Sequence, residues 1–325
     1  MRSFLCVLML AFLTPAALAA DNPDWAYPVT PPPSPLDSVT LKSLPGSTKQ
    51  YTQTQIDDPF NPPDWYPNDH PPMPPIVANG GPKPAGRACA QCHLTSGDGH
   101  PESASLAGLP AAYIVRQMAE YRDGNRKGVR AAVMIAMSKV LSDAEVKAAA
   151  DYFASLKPAA GFNKVVETDT VAKSFVGAGG MRFATPDGGR EPIGNRIIVL
   201  PQDEEKAKLR DPRSGFIDYV PTGSIAKGAA LMAGGNGKTI TCTICHGSTL
   251  KGLGEVPGIA GRPATYTFRQ LNDMKIGNRK GAWAELMKET VVSLTDEDMI
   301  ALSAYLGCST HERSSYRARF RLSVE

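Results

Sequence analysis

Long apolar runs are nearly missing from this 325-residue chain. The only one, Phe4 to Leu13, falls short of the roughly 20 residues that cross a bilayer. No later segment qualifies, so a transmembrane segment is not expected. An excess of charge is missing too. Lys and Arg number 35 against 32 Asp and Glu, and a net charge of +3 is too mild to suggest a nucleic-acid partner. Neither a P-loop nor a Gly-x-Gly-x-x-Gly pattern occurs, so nothing points to nucleotide chemistry. Cysteine is scarce, at six, and how those six are spent is the most informative feature present.

Four of them form two Cys-x-x-Cys-His motifs, Cys89–His93 and Cys242–His246. A bare Cys-x-x-Cys serves zinc or dithiol chemistry, but a His directly after it makes the pattern an attachment site for c-type haem. Two thiols at that spacing add to the two porphyrin vinyl groups, and the next side chain swings under the ring to bind iron. A zinc scaffold explains the cysteines but neither the trailing histidine nor the duplication.

The duplication extends well beyond the motif. At a constant offset of 153 residues (Cys89 to Cys242), Gly108 matches Gly261, Tyr113 matches Tyr266 and Arg116-Gln117 matches Arg269-Gln270. Gly124-Asn125-Arg126-Lys127-Gly128 recurs as Gly277-Asn278-Arg279-Lys280-Gly281. This is a repeat of domain size, not the short period of a solenoid. It also selects a sixth iron ligand. Of Met118, Met134 and Met137, only Met134 keeps a methionine in the second copy, Met287. Each lies 41 residues after its haem histidine (His93 to Met134, His246 to Met287) and eight before a helix start, where a loop is expected to cross the far face of the haem. The predicted metal ligands are therefore His93, Met134, His246 and Met287, with Cys89, Cys92, Cys242 and Cys245 holding two covalently bound c-type haems.

Around these motifs the chain divides into six parts. Residues 1–20, with Arg2, the apolar run and Ala17-Leu18-Ala19, read as a signal peptide cleaved near Ala19/Ala20, which implies a periplasmic protein. Residues 21–85 are proline-dense and cannot form regular helix or central strand, yet Trp25, Tyr27, Phe60, Trp65 and Tyr66 suggest a segment that wraps over a domain surface. Residues 86–157 and 223–308 are the two haem units. Helices are expected over Pro110–Arg122 and Pro263–Lys275, over Ile225–Met232, and after the capping boxes at Ser142 and Thr295. One short turn is expected near Ile76. Residues 158–222 carry β-rich runs, expected as a small hairpin-like layer bracing the two units, with Asp203–Arg213 as a solvated loop. Residues 309–325 form a basic tail with Arg313, Arg317, Arg319 and Arg321. With Cys6 removed in the expected signal peptide, Cys308, near the end of the last helix, is the cysteine the haems do not use.

Each unit resembles a class I cytochrome c domain, and the pair resembles the dihaem cytochrome c4 family. The residues that carry this are the two Cys-x-x-Cys-His motifs, Met134, Met287, Leu106-Ala107-Gly108, Ile259-Ala260-Gly261 and the capped closing helices. The resemblance implies a mainly α fold of two tandem class I cytochrome c domains, with the proline-rich extension and a partly β inter-domain segment added. It also implies that the Ala104 and Pro257 carbonyls accept the N–H of the axial histidines. The function implied is a periplasmic electron carrier between a redox protein donor, such as a dehydrogenase, and a respiratory acceptor, not an enzyme. Arg126, Lys127, Arg130, Arg279 and Lys280 are candidates for steering acidic partners. The alternative is a dihaem enzyme of the peroxidase or thiosulfate-oxidising type. It needs one haem without Met ligation, with His70, His100 or Cys308 intervening.

Overall fold

The computed structural model describes residues 22–32 and 35–308. The expected signal peptide and basic tail lie outside the described residues. The proline-rich stretch is laid down as an ordered strap. Trp25 stacks against Phe268 of the second haem unit at 4.6 Å, and Arg130 of the first unit donates to the Pro28 carbonyl. Further on, Leu44, Ile56, Trp65 and Tyr66 bury one another around a single-turn helix α1, Gln53–Ile56. A second turn, α2 (Pro75–Ala78), buries Ile76 and Val77 in the first haem unit, at the place expected for a short turn.

The first unit continues with α3 (Ala90–His93), α4 (Ala111–Arg122), α5 (Ala132–Val140) and α6 (Asp143–Ser155). Ser142 and Glu145 form the expected reciprocal capping box at the start of α6. Val146, Ala149, Ala150 and Phe153 then face the core at helical spacing.

The inter-unit segment differs from a hairpin layer. It runs through β1 (Asn163–Glu167), β2 (Thr170–Ala172), β3 (Ser174–Val176), β4 (Arg182–Ala184), β5 (Arg190–Pro192), β6 (Ile198–Pro201), the short helix α7 (Glu204–Lys208) and β7 (Phe216–Val220). β7 is central in a mixed sheet, parallel to β1 and antiparallel to β6, while β2 pairs antiparallel with β5 around the β3–β4 hairpin. The inward residues Phe216 and Val220 of β7, with Val165 and Val199, pack into the core of the second haem unit. The sheet thus extends that core, and Phe216 of β7 also meets His100 of the first unit edge-on at 6.2 Å.

The second unit comprises α8 (Ser224–Met232), α9 (Thr243–His246), the two-residue strands β8 (Gly252–Leu253) and β9 (Val256–Pro257), α10 (Ala264–Lys275), α11 (Ala282–Val291) and α12 (Asp296–Gly307). α12 is buried almost all round, between α8, α10 and the sheet. Gly228 of α8 faces the Ala301 carbonyl so closely that a methyl group there would overlap backbone atoms, so the two helices meet at glycine. Among the described residues, no helix is long and apolar enough to cross a membrane.

Candidate haem sites

Each Cys-x-x-Cys-His motif folds as one helical turn with its first cysteine at the N-cap. The amide of His93 donates to the Cys89 carbonyl at 3.0 Å, and that of His246 to Cys242 at 3.0 Å. The turn brings the histidine alongside the first cysteine, four residues back, as haem attachment requires. A reversal follows, through Leu94 at φ 59° or Gly247 at φ 79°. The returning loop places a carbonyl against each ring: His93 Nδ1 lies 2.8 Å from the Ala104 oxygen and His246 Nδ1 2.8 Å from the Pro257 oxygen. These are the two carbonyls the resemblance implied. Burial lowers the pKa of both imidazoles, favouring the neutral ring. A neutral ring that donates from Nδ1 presents the lone pair of Nε2 to a metal. Burial also pushes the Cys89 thiol up to about 12 and Cys242 up to about 11, so both stay protonated at neutral pH in the absence of haem.

His93 looks into a cavity of about 490 Å³ lined by Cys89, Cys92, Met118, Met134, Leu109 and Ile114. It has the size and the mainly apolar lining of a cofactor pocket, with Arg126, Arg130 and Arg210 among its polar residues. The residues fit a covalent haem. In the second unit Cys242 and Met287 each pack against the main core, both half-buried. Met134 and Met287 lie on helices, α5 and α11, and not on the loops expected from sequence. Met118 and Met137 share the first cavity, so proximity does not single out Met134; the repeat does.

A family model for cytochrome c matches residues 79–157 and 225–308. The chain belongs to the cytochrome c family. This cytochrome is 28% identical over 226 residues to a thiosulfate dehydrogenase electron acceptor of Thiomonas intermedia, covering 69% of this chain and 79% of that one. It is 25% identical over 224 residues to cytochrome c4 of Pseudomonas aeruginosa, covering 67% and 82%. Among solved structures, a thiosulfate dehydrogenase (TsdBA) of Marichromatium purpuratum aligns at 25% identity and a TM-score of 0.45 over 68% of this chain; the cytochrome spans only 36% of that chain's length. The cytochrome is a tandem, c4-like dihaem protein of mainly α fold. It carries two covalently bound c-type haems and transfers electrons between redox partners.

Between the two sites the repeated residues meet one another. Arg126 donates to Tyr266 Oη at 3.0 Å and Gln270 Oε1 at 2.7 Å, while Arg279 donates to Tyr113 Oη at 3.0 Å and Gln117 Oε1 at 2.8 Å. The Lys127 amide donates to the Asn278 carbonyl and the Lys280 amide to that of Asn125. Each contact is mirrored at the 153-residue offset, the pattern of a two-fold interface inside one chain. Gly128 and Gly281 close it. A methyl group at Gly281 would strike the Glu120 carboxylate, and one at Gly128 the Asp273 carboxylate. Arg126 and Arg279 are therefore buried interface residues and not docking charges. Arg130 is likewise engaged, with Glu102 at 2.8 Å and with Pro28. Lys127 and Lys280 remain exposed.

Of the other candidate ligands, His70 and Cys308 are engaged elsewhere and His100 lies at the first cavity. His70 uses both ring nitrogens, on Asp64 and the Pro71 carbonyl. Cys308 caps α12, buried, with its thiol donating to the Ala304 carbonyl at 3.3 Å. His100 does line the first cavity, its ring edge-on to Phe216 at 6.2 Å. Sequence reasoning missed Arg210. Asp203–Arg213 is no solvated loop: Arg210 pairs with Asp57 at 3.0 Å and donates to the Gln91 carbonyl inside the first motif at 2.8 Å, and Arg213 pairs with Asp69. The only hint available was an Arg in a charged run, which carries no address.

Proposed function

We propose that this cytochrome is an exported electron carrier with haem units at 86–157 and 223–308, each closed by a His/Met pair: His93 with Met134, and His246 with Met287. The observation that carries this is the matched bond from each imidazole Nδ1 to a loop carbonyl, 2.8 Å in both units. It supports two equivalent histidine ligands, and the 41-residue spacing supports two equivalent methionines. Haem supplies a one-electron couple when bound. The chain's own residues attach it, orient the imidazole, exclude water and fill the sixth position, which leaves no place for a substrate.

The donor we propose is a dehydrogenase outside the cytoplasm that oxidises a small inorganic sulfur compound, with a respiratory protein as acceptor. The relative described as a thiosulfate dehydrogenase electron acceptor supports this class. Export follows from haem c chemistry, because attachment takes place outside the cytoplasm, and from the leader-like first twenty residues. The test is spectroscopic. The oxidised protein should show the far-red methionine–iron charge-transfer band at the intensity of two haems, and the reduced protein should not bind carbon monoxide. Half the band, or rapid carbon monoxide binding, would overturn the double His/Met assignment.

A further inference from the structure

The two haem units are near copies, but their attachment edges are not. In the first motif Gln91 is 6% exposed; at the same position in the second, Ile244 is 67% exposed. Nine residues on, His100 is 7% exposed and its counterpart Leu253 61%. Cys92 is half-buried, whereas Cys245 is exposed.

Two segments outside the repeat produce the difference. The strap passes over the first motif at residues 57–60, where the Pro59 carbonyl accepts from the Ala88 amide at 2.8 Å. The inter-unit segment arrives from the other side. Arg210 donates to the Gln91 carbonyl and closes on Asp57, tying both segments together across Cys89–Cys92. Arg210 holds φ 55°, a conformation that L-residues rarely adopt, and the ion pair and carbonyl bond keep it there. Nothing among the described residues does the same for the second motif. Its edge is apolar: Ile240 precedes the attachment turn, Ile244 lies within it, and Leu253 lies beside Gly247, which ends it. Nearby charges are largely spent inside the chain, Lys238 on Asp298 and Lys288 on Glu285, with Lys251 adding one positive charge at the rim.

From this asymmetry we infer that the surface around Ile240, Ile244 and Leu253 is the port for protein partners, and that its occupant is a redox protein with a mainly apolar docking face. This rests on the carrier reading above. Electron exchange between proteins needs close approach of cofactor edges, and the strap and Arg210 stand in the way at the first unit. Electron-transfer contacts are small, with an apolar core inside a polar rim, and rim charge sets on-rate and salt dependence. The first unit then exchanges electrons with the second, across the buried Arg126–Arg279 interface. In one encounter a single electron leaves the reduced cytochrome and reduces the partner; no bond is made and no proton moves.

The probe is a small blue-copper protein whose exposed metal-ligand edge is ringed by apolar residues, mixed with the full-length, haem-loaded, reduced cytochrome. Cupric copper takes the electron and becomes cuprous. Ile244→Lys should lower the second-order rate about tenfold, a factor that ordinary loss of interface packing supplies, with reduction by dithionite unchanged. Leu253→Lys should act in the same direction and serves if Ile244→Lys fails to load haem. Independently of electron transfer, hydrogen exchange with bound probe should slow over residues 240–247 and not over 88–94. Arg210→Ala should speed exchange over 88–94 without probe. Unchanged rates in both lysine variants, or protection at 88–94, overturn the inference and leave the carrier reading standing. So does a concentration-dependent dimer that Ile244→Lys abolishes, since the patch would then belong to a second copy. A wild-type protein that neither binds nor reduces the probe overturns the carrier reading and this inference together.

Discussion

As packing, Met134 and Met287 are interchangeable with other hydrophobic side chains; as the iron ligands proposed above, they are not. Met134→Leu or Met287→Leu keeps the volume and should cost under about 1.5 kcal/mol of stability. Each should nevertheless remove half of the far-red charge-transfer band and lower the potential of one haem, because thioether ligation favours ferrous iron. A redox titration of each variant checks this. Asp298 belongs to the same scale. Burial pushes its pKa up, but hydrogen bonds from Lys238, the Thr295 amide and hydroxyl, and Lys227 outweigh this and hold it below the usual carboxylate range. A carboxylate with a depressed folded pKa stabilises above its unfolded value, near 4, and loses that contribution as pH falls. Asp298→Asn should therefore cost about 1–3 kcal/mol at pH 7 and little in acid, as chemical denaturation at the two pH values will show.

Among the elements, β7 contains the one inward position that contradicts its pattern. Phe216, Asp218 and Val220 face the core in turn, so a carboxyl sits where alternation demands an apolar residue. Asp218 accepts from the Ala264 amide at 3.1 Å at the start of α10, while its other oxygen is buried without a partner. Burial raises its pKa to about 7. An acid whose folded pKa exceeds its unfolded value destabilises progressively as pH rises from about 4 to about 7. Asp218→Asn keeps an acceptor for Ala264, so denaturation midpoints of the variant should be flatter across that range. At the other capping box, Ser142→Ala should cost about 1 kcal/mol by thermal unfolding.

For the molecule as a whole, the mirrored interface is the element on which the two haem units depend jointly. Arg126→Met removes a guanidinium that serves Gln117, Tyr266 and Gln270 at once, while the two glutamines keep Arg279. A loss of about 1–3 kcal/mol is expected, with calorimetry resolving two transitions where the native protein should show one. Tyr113, Gln117, Arg126 and their copies were visible in the sequence as repeated letters. That they face one another was not, because an offset records common ancestry of position and carries no information on how the copies dock. Likewise the aromatic residues of 21–85 signalled a wrapping segment but not what it wraps.

The chemistry was local, and so the sequence by itself determined it. Cysteine spacing, the adjacent histidine and the capping boxes act over one to a few turns of chain, where geometry follows from covalent connection. The loop carbonyls behind His93 and His246 were within the same reach. Only the tertiary structure decided which repeated residues would be interface and which surface, that the inter-unit sheet would join the second core, and that one haem edge would be covered while its copy stayed open. Asp57 and Arg210 lie far from the motif they cover, and contacts of that range depend on where the packed cores leave the intervening loops.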